Sequence, residues 1–355
     1  MTPPPTVDES RALTIPSLPA AAGLTARLFA DASDYGRMAA LASDANAHDG
    51  IPWLPTEEDY RTEIDGSDGL TPRSDIVLVE FAGGVVAHAA VELVVRDGAP
   101  VYDTWGHVHP DWRRRGIGGA LLDHNLARVH ARARVESPDA SVAVAVRAHA
   151  EEQETAHRSL LEARGFTPIR HYFLMRRDGL GELPDAPLPD APLPDGIVLR
   201  PVTPEQHRAI WEAECEAFQD HWGARTYTEH DFTSTFGHSG LDTSLWAVAW
   251  DGDEVVGVVQ TWIWSEENAR LGLRRGWLER ISVRRPWRKR GLGRAITAAG
   301  LQRLHGAGMT EGTLGVDADN PTGALRMYES LGFQLFRRSA AYQRPIGGPA
   351  AIEQP

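Results

Sequence analysis

The segment Val283-Arg-Arg-Pro-Trp-Arg-Lys-Arg-Gly-Leu-Gly293 repeats an earlier one, Val108-His-Pro-Asp-Trp-Arg-Arg-Arg-Gly-Ile-Gly118, at an offset of 175 residues and without a gap. A second pair of similar segments, Leu160–Phe166 and Met327–Phe333, recurs in the same order at an offset of 167. Chance does not explain two blocks that recur in one order, so the 355-residue chain contains an internal duplication. We therefore predict two similar domains.

A Pro/Asp repeat, Leu183–Asp195, lies between the two copies. Proline has no backbone N–H and favours an extended backbone, so this segment is typical of a stiff linker. We predict a frayed N-terminus at residues 1–21, a first domain at 22–178, the linker at 179–195, a second domain at 196–346 and a tail at 347–355.

The order of elements is the same in both copies. In the second copy, apolar patterns and turn signals predict strands at 197–200, 244–250, 255–264, 277–283, 313–316 and 333–342, and helices at 204–218, 291–305 and 321–331. The first copy shows strands near 24–29 and 101–108, a hairpin across 82–84 and a helix from Gly116. This order predicts an α/β fold, each domain having a mixed, mostly antiparallel sheet flanked by helices.

Composition excludes several classes of protein. The formal net charge of −13 disfavours binding to nucleic acid or to anionic membranes, because both require a surplus of Lys and Arg. The single cysteine, Cys215, excludes an internal disulfide. No apolar run reaches the roughly 20 residues of a membrane helix, and the first residues do not resemble a signal peptide. We expect a cytoplasmic monomer or homodimer.

The repeated loop, Arg288–Gly293 in the second copy, lies between a strand and a helix. The first N–H groups of a helix lack intrahelical partners, and glycines let an anion approach them, so the pattern predicts a pyrophosphate site. A Rossmann fingerprint would need a third glycine, where Ile296 and Leu121 stand, and no P-loop is present. A solvated basic turn is the remaining alternative, and the repetition argues against it.

Both loops resemble the Arg/Gln-x-x-Gly-x-Gly/Ala motif of the GNAT acetyltransferase superfamily, and Asn320–Phe333 resembles the superfamily's Asn…Tyr…Gly-Phe signature. The tandem arrangement is similar to that of the two-domain mycothiol synthase type. The resemblance implies two GNAT-like domains and acetyl-CoA as co-substrate; it does not imply a particular acceptor.

The resemblance also implies which residues contact the coenzyme. In the second domain these are Ile281, Ser282, Val283, Arg288, Lys289, Arg290, Gly291, Leu292, Gly293 and Asn320. In the first domain they are Val108, Arg113, Arg114, Arg115, Gly116, Ile117 and Gly118. A backbone N–H near Val283 would polarise the thioester carbonyl. Asn320 is equally suited to cap the helix that follows it.

Tyr328 is the candidate general acid. It lies one helical turn before Gly332, and a phenol can protonate a leaving thiolate. A packed aromatic residue is the alternative interpretation. The first copy has Leu161 at the position of Tyr328 and Gln153 at that of Asn320. We therefore predict catalysis in the second domain alone.

Glu279, on the strand that ends at Val283, is the candidate general base, although a β-bulge could change the face it occupies. Asp220 and His221 are second candidates for the base. With Trp222 they are also candidates for the lip of the acceptor site, although ordinary polar residues at a helix end are an alternative for them. Trp262 and Trp264 alternate on the predicted strand, so they are expected to share one face as core or as an acceptor wall.

The predicted function is an N-acetyltransferase that moves an acetyl group directly from acetyl-CoA to a primary amine of a small molecule. The acidic charge favours cationic acceptors. A non-catalytic acyl-CoA sensor and a protein N-acetyltransferase are the alternatives. His107 and His109 share a predicted strand face but lack a third ligand, so no metal is expected.

Overall fold

The computed structural model describes residues 12–21, 23–137, 143–183, 191–320 and 323–346. The chain divides into two compact units. The first comprises residues up to Ile169 and those from Ala341 onward, and the second is Arg170–Ala340.

The first unit contains six strands whose spatial order in the sheet is the same as their order in the chain. Its strands are β1 (Ala12–Leu13), β2 (Leu24–Leu28), β3 (Ile76–Phe81), β4 (Gly84–Arg96), β5 (Ala99–Val108) and β6 (Ala145–Glu151). Neighbouring strands are antiparallel except β5 and β6, which are parallel. The helices are α1 (Ser33–His48), α2 (Glu57–Asp65), α3 (Pro72–Asp75), α4 (Ile117–Glu136) and α5 (Thr155–Glu162).

The second unit repeats this pattern. Its strands are β7 (Thr167–Asp178), β8 (Ile197–Arg200), β9 (Ala247–Asp251), β10 (Glu254–Trp262), β11 (Arg275–Val283) and β12 (Glu311–Asp317), in the spatial order β7-β12-β11-β10-β9-β8. Only the pair β11–β12 among these is parallel. The helices are α6 (His207–Phe218), α7 (Glu229–Gly237), α8 (Ser265–Leu271), α9 (Leu292–Gly306) and α10 (Ala324–Ser330), and β13 (Gln334–Pro345) follows.

The predicted fold class, a mixed and mostly antiparallel sheet in each half, is confirmed. The sequence of β10 is apolar throughout because helices cover both faces of the sheet. Val256 and Val259 pack in a cluster with Ile296 of α9, and Val258 packs on the other face with Ile210 of α6. Burial on both faces removes the alternation expected of a half-exposed strand.

Strand β7 belongs to the first sequence repeat but pairs with the second unit. It runs antiparallel to β12, from Glu311 opposite Asp178 to Asp317 opposite Tyr172. In turn, the end of β13 belongs to the first unit, where the Ile346 N–H donates to Val144 O at 2.7 Å. The compact units therefore differ from the sequence repeats in their last strands. The repeat boundaries at 178 and 196 stay a prediction.

The folded part begins before residue 22, where the first domain was predicted to start. Ala12–Leu13 form β1 and pair with β2, and Ile15 is buried in a cluster with Ile117. Apolar residues at 13, 15 and 18 could have indicated this packing. Residues 1–11, 184–190 and 347–355 lie outside the described residues, and they include the middle of the predicted linker and the whole predicted tail. Within the described part of the chain, no helix has both the length and the apolarity to cross a membrane.

Helices α7 and α8 were not predicted. Both are short and polar. Thr228 caps α7 and accepts a hydrogen bond from the Asp231 N–H, whereas no side chain caps the N-terminus of α8. Helix α8 follows Trp264, so β10 ends at Trp262 rather than at the predicted 264.

Candidate active site

The parallel strands β11 and β12 pair over three residues and then separate. Arg275–Trp277 lie opposite Glu311–Thr313, and no further pair joins the described residues of these two strands. In the first unit, β5 and β6 likewise pair over three residues, from Val101 opposite Ala145. A cleft therefore opens in each unit between the carboxyl ends of two parallel strands, with backbone groups of β11 or β5 along one side.

A loop of the same conformation follows β11 and β5. Gly291 precedes α9 with φ 85° and ψ −9°, and Gly116 precedes α4 with φ 88° and ψ −9°. Two residues earlier, Lys289 and Arg114 have φ values of 62° and 63°. Left-handed residues among right-handed ones turn successive N–H groups toward one side, an arrangement that binds anions.

The side chains of this loop divide into exposed and buried groups. Lys289, Arg290 and Gly291 are exposed, and their equivalents Arg114, Arg115 and Gly116 are exposed too. Leu292 and Ile117, in contrast, are each 1% exposed and belong to the core. Leu292 and Ile117 can therefore contact a bound anion only through their backbone N–H groups.

Arg288 holds the loop in place. Its Nε donates to Val283 O at 2.8 Å, its Nη1 to Asp220 Oδ2 at 2.6 Å and its Nη2 to Ala217 O at 3.2 Å. These contacts join the loop to the end of β11 and to the end of α6. The three hydrogen bonds favour a positioning role for the Arg288 side chain, which was predicted to contact pyrophosphate.

The first unit has the same arrangement. Arg113 Nε donates to Val108 O at 3.1 Å, and its Nη1 and Nη2 donate to the two oxygens of Asp49 at 2.7 and 2.8 Å. Asp49 follows α1 as Asp220 follows α6. Sequence analysis missed this role because the two aspartates lie 64 and 68 residues from their arginines, at different offsets within the copies.

The Asp220 carboxylate is therefore occupied by its hydrogen bond to the loop residue Arg288. It also accepts a hydrogen bond from Arg285 Nε at 2.8 Å. Hydrogen bonds from Arg285 and Arg288 hold the pKa of this carboxyl well below its usual range, although partial burial opposes the effect. A carboxylate paired in this way is a poor proton acceptor, so the contacts argue against the predicted role of Asp220 as a base.

We expect Asp220→Asn to raise KM for the coenzyme severalfold and to lower the unfolding temperature at neutral pH. A depressed carboxyl pKa contributes stability above the ordinary carboxyl pKa, and this contribution is lost as the pH falls through the depressed value. The difference in unfolding temperature between the variant and the native chain should therefore shrink in acid. Asp253→Asn, at an exposed carboxylate in the β9–β10 turn, is the control. A constant difference across the pH range would contradict this assignment.

Glu279 lies at a β-bulge. Gln260 pairs with Arg280 and Thr261 pairs with Leu278, which leaves Glu279 without a partner in the ladder. An extra residue in one strand changes the face that the following side chains occupy. Leu278 packs in the cluster on the α9 side, whereas Arg280 lies on the α6 side, 3.5 Å from Glu214 Oε1 through its Nε.

The environment of Glu279 suits a base. Solvent reaches its side chain, yet protein surrounds it closely enough that desolvation raises its pKa to about 7. The negative charge of Glu267 acts in the same direction, and the neighbouring Trp264 side chain and the charge of Arg280 oppose it. A carboxylate with a pKa near 7 can accept a proton at neutral pH.

The first unit has no equivalent of this carboxylate. Strands β4 and β5 pair without a bulge, and Val91 lies directly opposite Thr104, the residue that matches Glu279 at the offset of 175. Thr104 is buried, donates to Ala90 O at 3.2 Å and accepts from Asn125 at 2.8 Å. Leu161, which matches Tyr328, is buried as well.

Tyr328 lies on α10 and is 6% exposed. Its ring packs edge-on against Phe333, with the centroids 6.0 Å apart, and burial raises its pKa well above the ordinary value. The phenol is therefore protonated at neutral pH, as a proton donor must be. Asn320 donates its backbone N–H to Asp317 O at 3.1 Å; the start of the predicted helix, 321–322, lies outside the described residues.

The remaining candidates lie around the α6 side of the sheet. His221 packs against Phe218, and burial lowers its pKa. Arg170 of β7 lies 5.6 Å above the ring of Trp222. Trp262 and Trp264 were expected on one strand. Trp264 instead precedes α8, and the two rings stack with centroids 5.1 Å apart and planes 11° apart.

His107 and His109 do not share a strand face, because β5 ends at Val108. Within the ranges that the structure describes, no group of three or more His, Cys, Asp or Glu side chains is arranged to hold a metal ion.

Comparison with known proteins extends these findings to both halves of the chain. Residues 207–333 match the Acetyltransferase (GNAT) family, and residues 72–168 match an Acetyltransferase (GNAT) domain. The chain is 31% identical over 300 residues to a mycothiol acetyltransferase of Streptomyces scabiei, covering 80% of this chain and 88% of that protein. It is also 31% identical over 325 residues to a mycothiol acetyltransferase of Nocardiopsis dassonvillei, covering 86% and 91%.

Solved structures show the same two-part fold. A GCN5-related N-acetyltransferase from Sphaerobacter thermophilus superimposes with a TM-score of 0.67 at 26% identity, covering 92% of this chain and 97% of that one. A tandem GNAT protein from the clavulanic acid biosynthesis pathway gives a TM-score of 0.64 at 21% identity, covering 91% and 98%. At 21% identity, the likeness to the tandem GNAT protein shows a similar fold and nothing more.

Proposed function

The chain is an N-acetyltransferase of the GNAT acetyltransferase family, and we propose that its second unit transfers an acetyl group from acetyl-CoA directly to a primary amine of a small molecule. The observation that carries this proposal is Glu279. It is a solvent-accessible carboxylate at a β-bulge, with a pKa raised to about 7, on the strand that borders the open cleft.

The second unit has the features needed to hold the coenzyme. Exposed N–H groups at Gly291 and a left-handed Lys289 fit a pyrophosphate, and the space beside Gly291 contains no atom within 4 Å of where a Cβ would lie. Lys289 and Arg290 add positive charge. The separation of β11 from β12 leaves the backbone of Ile281, Ser282 and Val283 available to an extended pantetheine arm. When bound, acetyl-CoA supplies an activated thioester.

The protein's own groups then have distinct roles. Glu279 accepts the proton of the attacking amine, directly or through a water molecule. The N–H near Val283 donates to the carbonyl oxygen as negative charge develops on it. Tyr328 donates its proton to the departing thiolate. Because the first unit has Thr104 and Leu161 at the positions of Glu279 and Tyr328, we assign catalysis to the second unit and coenzyme binding to both.

The acceptor site lies beside Glu279 on the α6 side of the sheet, where the aromatic residues Trp222 and Trp264 are half-buried. Carboxylates at Glu279 and Glu267 favour a cationic amine over an anionic acceptor. We assign His221 and Trp222 to the lip of this site and the stacked pair Trp262 and Trp264 to its wall.

A thiol-release assay tests the proposal. Acetyl-CoA is offered with a panel of small amines, and with peptides of matched amine content. Release of free thiol with at least one small amine, together with the mass of its acetylated product, is expected. Release with peptides alone would assign the protein to N-acetylation of polypeptides. Tight coenzyme binding with no release from any acceptor would contradict the proposal and favour an acyl-CoA sensor.

Tyr328→Phe should lower kcat about a hundredfold while leaving the Kd of acetyl-CoA within twofold, because the substitution removes a proton donor and preserves the packed ring. Turnover at saturating acetyl-CoA and calorimetric binding measure the two quantities. Tyr227→Phe, which also removes a phenol from the second unit, is the control. An unchanged kcat in Tyr328→Phe would remove Tyr328 from the mechanism.

A further inference from the structure

The β-bulge places two oppositely charged side chains on one face of the sheet. Leu278 and Ile281 pack in the cluster on the α9 side, whereas Arg280 approaches Glu214 on the α6 side. Glu279 is the extra residue that follows Leu278, so its side chain faces away from α9. The proposed base and a guanidinium therefore occupy consecutive positions beside the acceptor site.

Aromatic rings of α6 pack against the Arg280 guanidinium. Its central carbon lies 4.4 Å from the ring centroid of Phe218 and 5.9 Å from that of Trp211. Phe218 in turn packs against His221, which we assign to the lip of the acceptor site, with centroids 4.5 Å apart. Arg280 therefore adjoins the base along the strand and contacts the ring that supports the lip.

Arg280 carries hydrogen-bond donors that the protein does not use. Among the residues that the structure describes, its Nε and Nη2 are buried and find no hydrogen-bond partner. Buried polar groups are nearly always hydrogen-bonded, so an unpaired one calls for an explanation. The side chain is 25% exposed, and a small molecule can reach that part of it. An oxygen atom of such a molecule would be the missing acceptor.

The carboxylate next to Arg280 does not satisfy these donors. Glu214 is fully buried, and its Oε1 lies 3.5 Å from Arg280 Nε without forming a hydrogen bond. Its Oε2 accepts from Gln260 Nε2 at 2.6 Å. Burial raises the pKa of Glu214 to about 7, although the charge of Arg280 opposes the rise. Glu214 is thus incompletely ionised at neutral pH, and it neutralises Arg280 only in part.

The fold does not require a charged residue at this position. In the first unit, Ala90 lies opposite Trp105, the residue that matches Arg280 at the offset of 175, as Gln260 lies opposite Arg280 in the second. The same pair of strands therefore forms with apolar residues. A buried ion pair stabilises a fold no better than well-packed apolar residues of similar volume do. Ligand binding explains the guanidinium beside Glu279 better than folding does.

We propose that Arg280 is a substrate-binding residue whose guanidinium receives a carboxylate of the acceptor, while Glu279 accepts a proton from the acceptor's amine. Consecutive Cα atoms are about 3.8 Å apart, so the amine and the carboxylate should be separated by only a few bonds. An α-amino acid has this arrangement, and the planar N–H fork of arginine matches a carboxylate. This inference rests on the proposed function, in which Glu279 is the base, and it specifies the class of small-molecule amine.

The native enzyme tests this inference without any substitution. Thiol release is measured with each protein amino acid that has a primary amine, with its amide and with the amine that lacks its carboxyl group. At least one amino acid should have a kcat/KM about 10- to 100-fold above those of both analogues, the usual contribution of hydrogen bonds to a charged group. The amide has a less basic amine and the decarboxylated compound a more basic one, so amine basicity does not explain this order.

Arg280→Met combined with Glu214→Gln tests the residue itself. Loss of Arg280 alone would leave a buried carboxylate without a counter-charge, so both side chains are changed. The double variant should lose the 10- to 100-fold preference for the amino acid, as the hydrogen bonds of a charged group predict. Its kcat/KM for the decarboxylated amine and its Kd for acetyl-CoA should stay within about twofold, because neither involves a carboxylate contact. Arg200→Met, on the edge strand β8, is the control and should keep the preference.

The outcomes separate the two proposals. If amines are acetylated but no amino acid exceeds both of its analogues, the role of Arg280 is wrong and the proposed function stands. If the double variant keeps the preference, another residue binds the carboxylate, and the inference is likewise overturned. If no amine of any kind releases thiol, the proposed function itself fails. The acceptor series with the native chain decides the question even where the double variant does not fold.

Discussion

Glu279→Gln is expected to lower kcat/KM for the acceptor by about 10²- to 10⁴-fold, the usual contribution of general acid–base catalysis. The amide keeps the shape of the side chain and cannot accept the proton. The Kd of acetyl-CoA should stay unchanged, because no loop contact involves this residue. Steady-state kinetics with varied amine and calorimetry with the coenzyme measure the two effects.

The native enzyme should also show a characteristic pH profile. The Glu279 pKa is raised to about 7, and the base must be ionised, so kcat/KM should rise with pH through about 7 and then level off. Glu279→Gln should remove this limb from the residual activity. Glu266→Gln, at an exposed carboxylate of α8, is the matched control and should retain both the rate and the profile. A limb that persists in Glu279→Gln would assign the titration to another group.

Gly291→Val is the second variant with a large expected effect. Gly291 has φ 85°, and a left-handed conformation costs a residue with a Cβ roughly 1–2 kcal/mol. Relief of that strain would turn the N–H groups of the loop away from one another. We expect at least a tenfold rise in the Kd of acetyl-CoA at the second unit, which corresponds to about 1.4 kcal/mol.

Calorimetric stoichiometry separates the two loops. If both units bind the coenzyme, the native chain should take up two equivalents at its native affinities. Gly291→Val and Gly116→Val should each keep one equivalent at native affinity and bind the other at least tenfold more weakly. Of the two variants, only Gly116→Val should keep its turnover. Gly98→Val controls for strain, since Gly98 has φ 79° in the β4–β5 turn, at the opposite end of β5 from the loop that contains Gly116. Unchanged stoichiometry in both loop variants would contradict the proposed anion site.

Sequence analysis predicted the fold because the sequence patterns that indicate the fold are local and occur twice in the chain. The Arg-rich loops and the Gly-Phe segments recur in order, and the strands around them have apolar runs bounded by turns. The positions of β11, α9 and β12 were therefore predicted to within two residues. The duplication also aligned Leu161 with Tyr328, and catalysis in the second unit alone stays a prediction.

The missed features depend on packing between distant residues. The bulge at Glu279 could be named in advance only as an alternative, because it is a mismatch between two strands and neither strand shows it alone. The partnership of Asp220 with Arg288 spans 68 residues, and an aspartate after a helix has many ordinary roles. Trp264 was assigned to a strand because its alternation with Trp262 is the pattern of a strand, although the chain turns into α8 there.

The pairing of β7 with β12 has one further consequence. Its residues are encoded in the first copy, yet they pair with β12 along seven positions of the second unit. Deleting the first copy would expose the N–H and C=O groups of β12 and invite aggregation through that edge. The second unit therefore depends on a strand that the first copy encodes. The first copy is required for the fold of the second unit independently of any coenzyme that it binds.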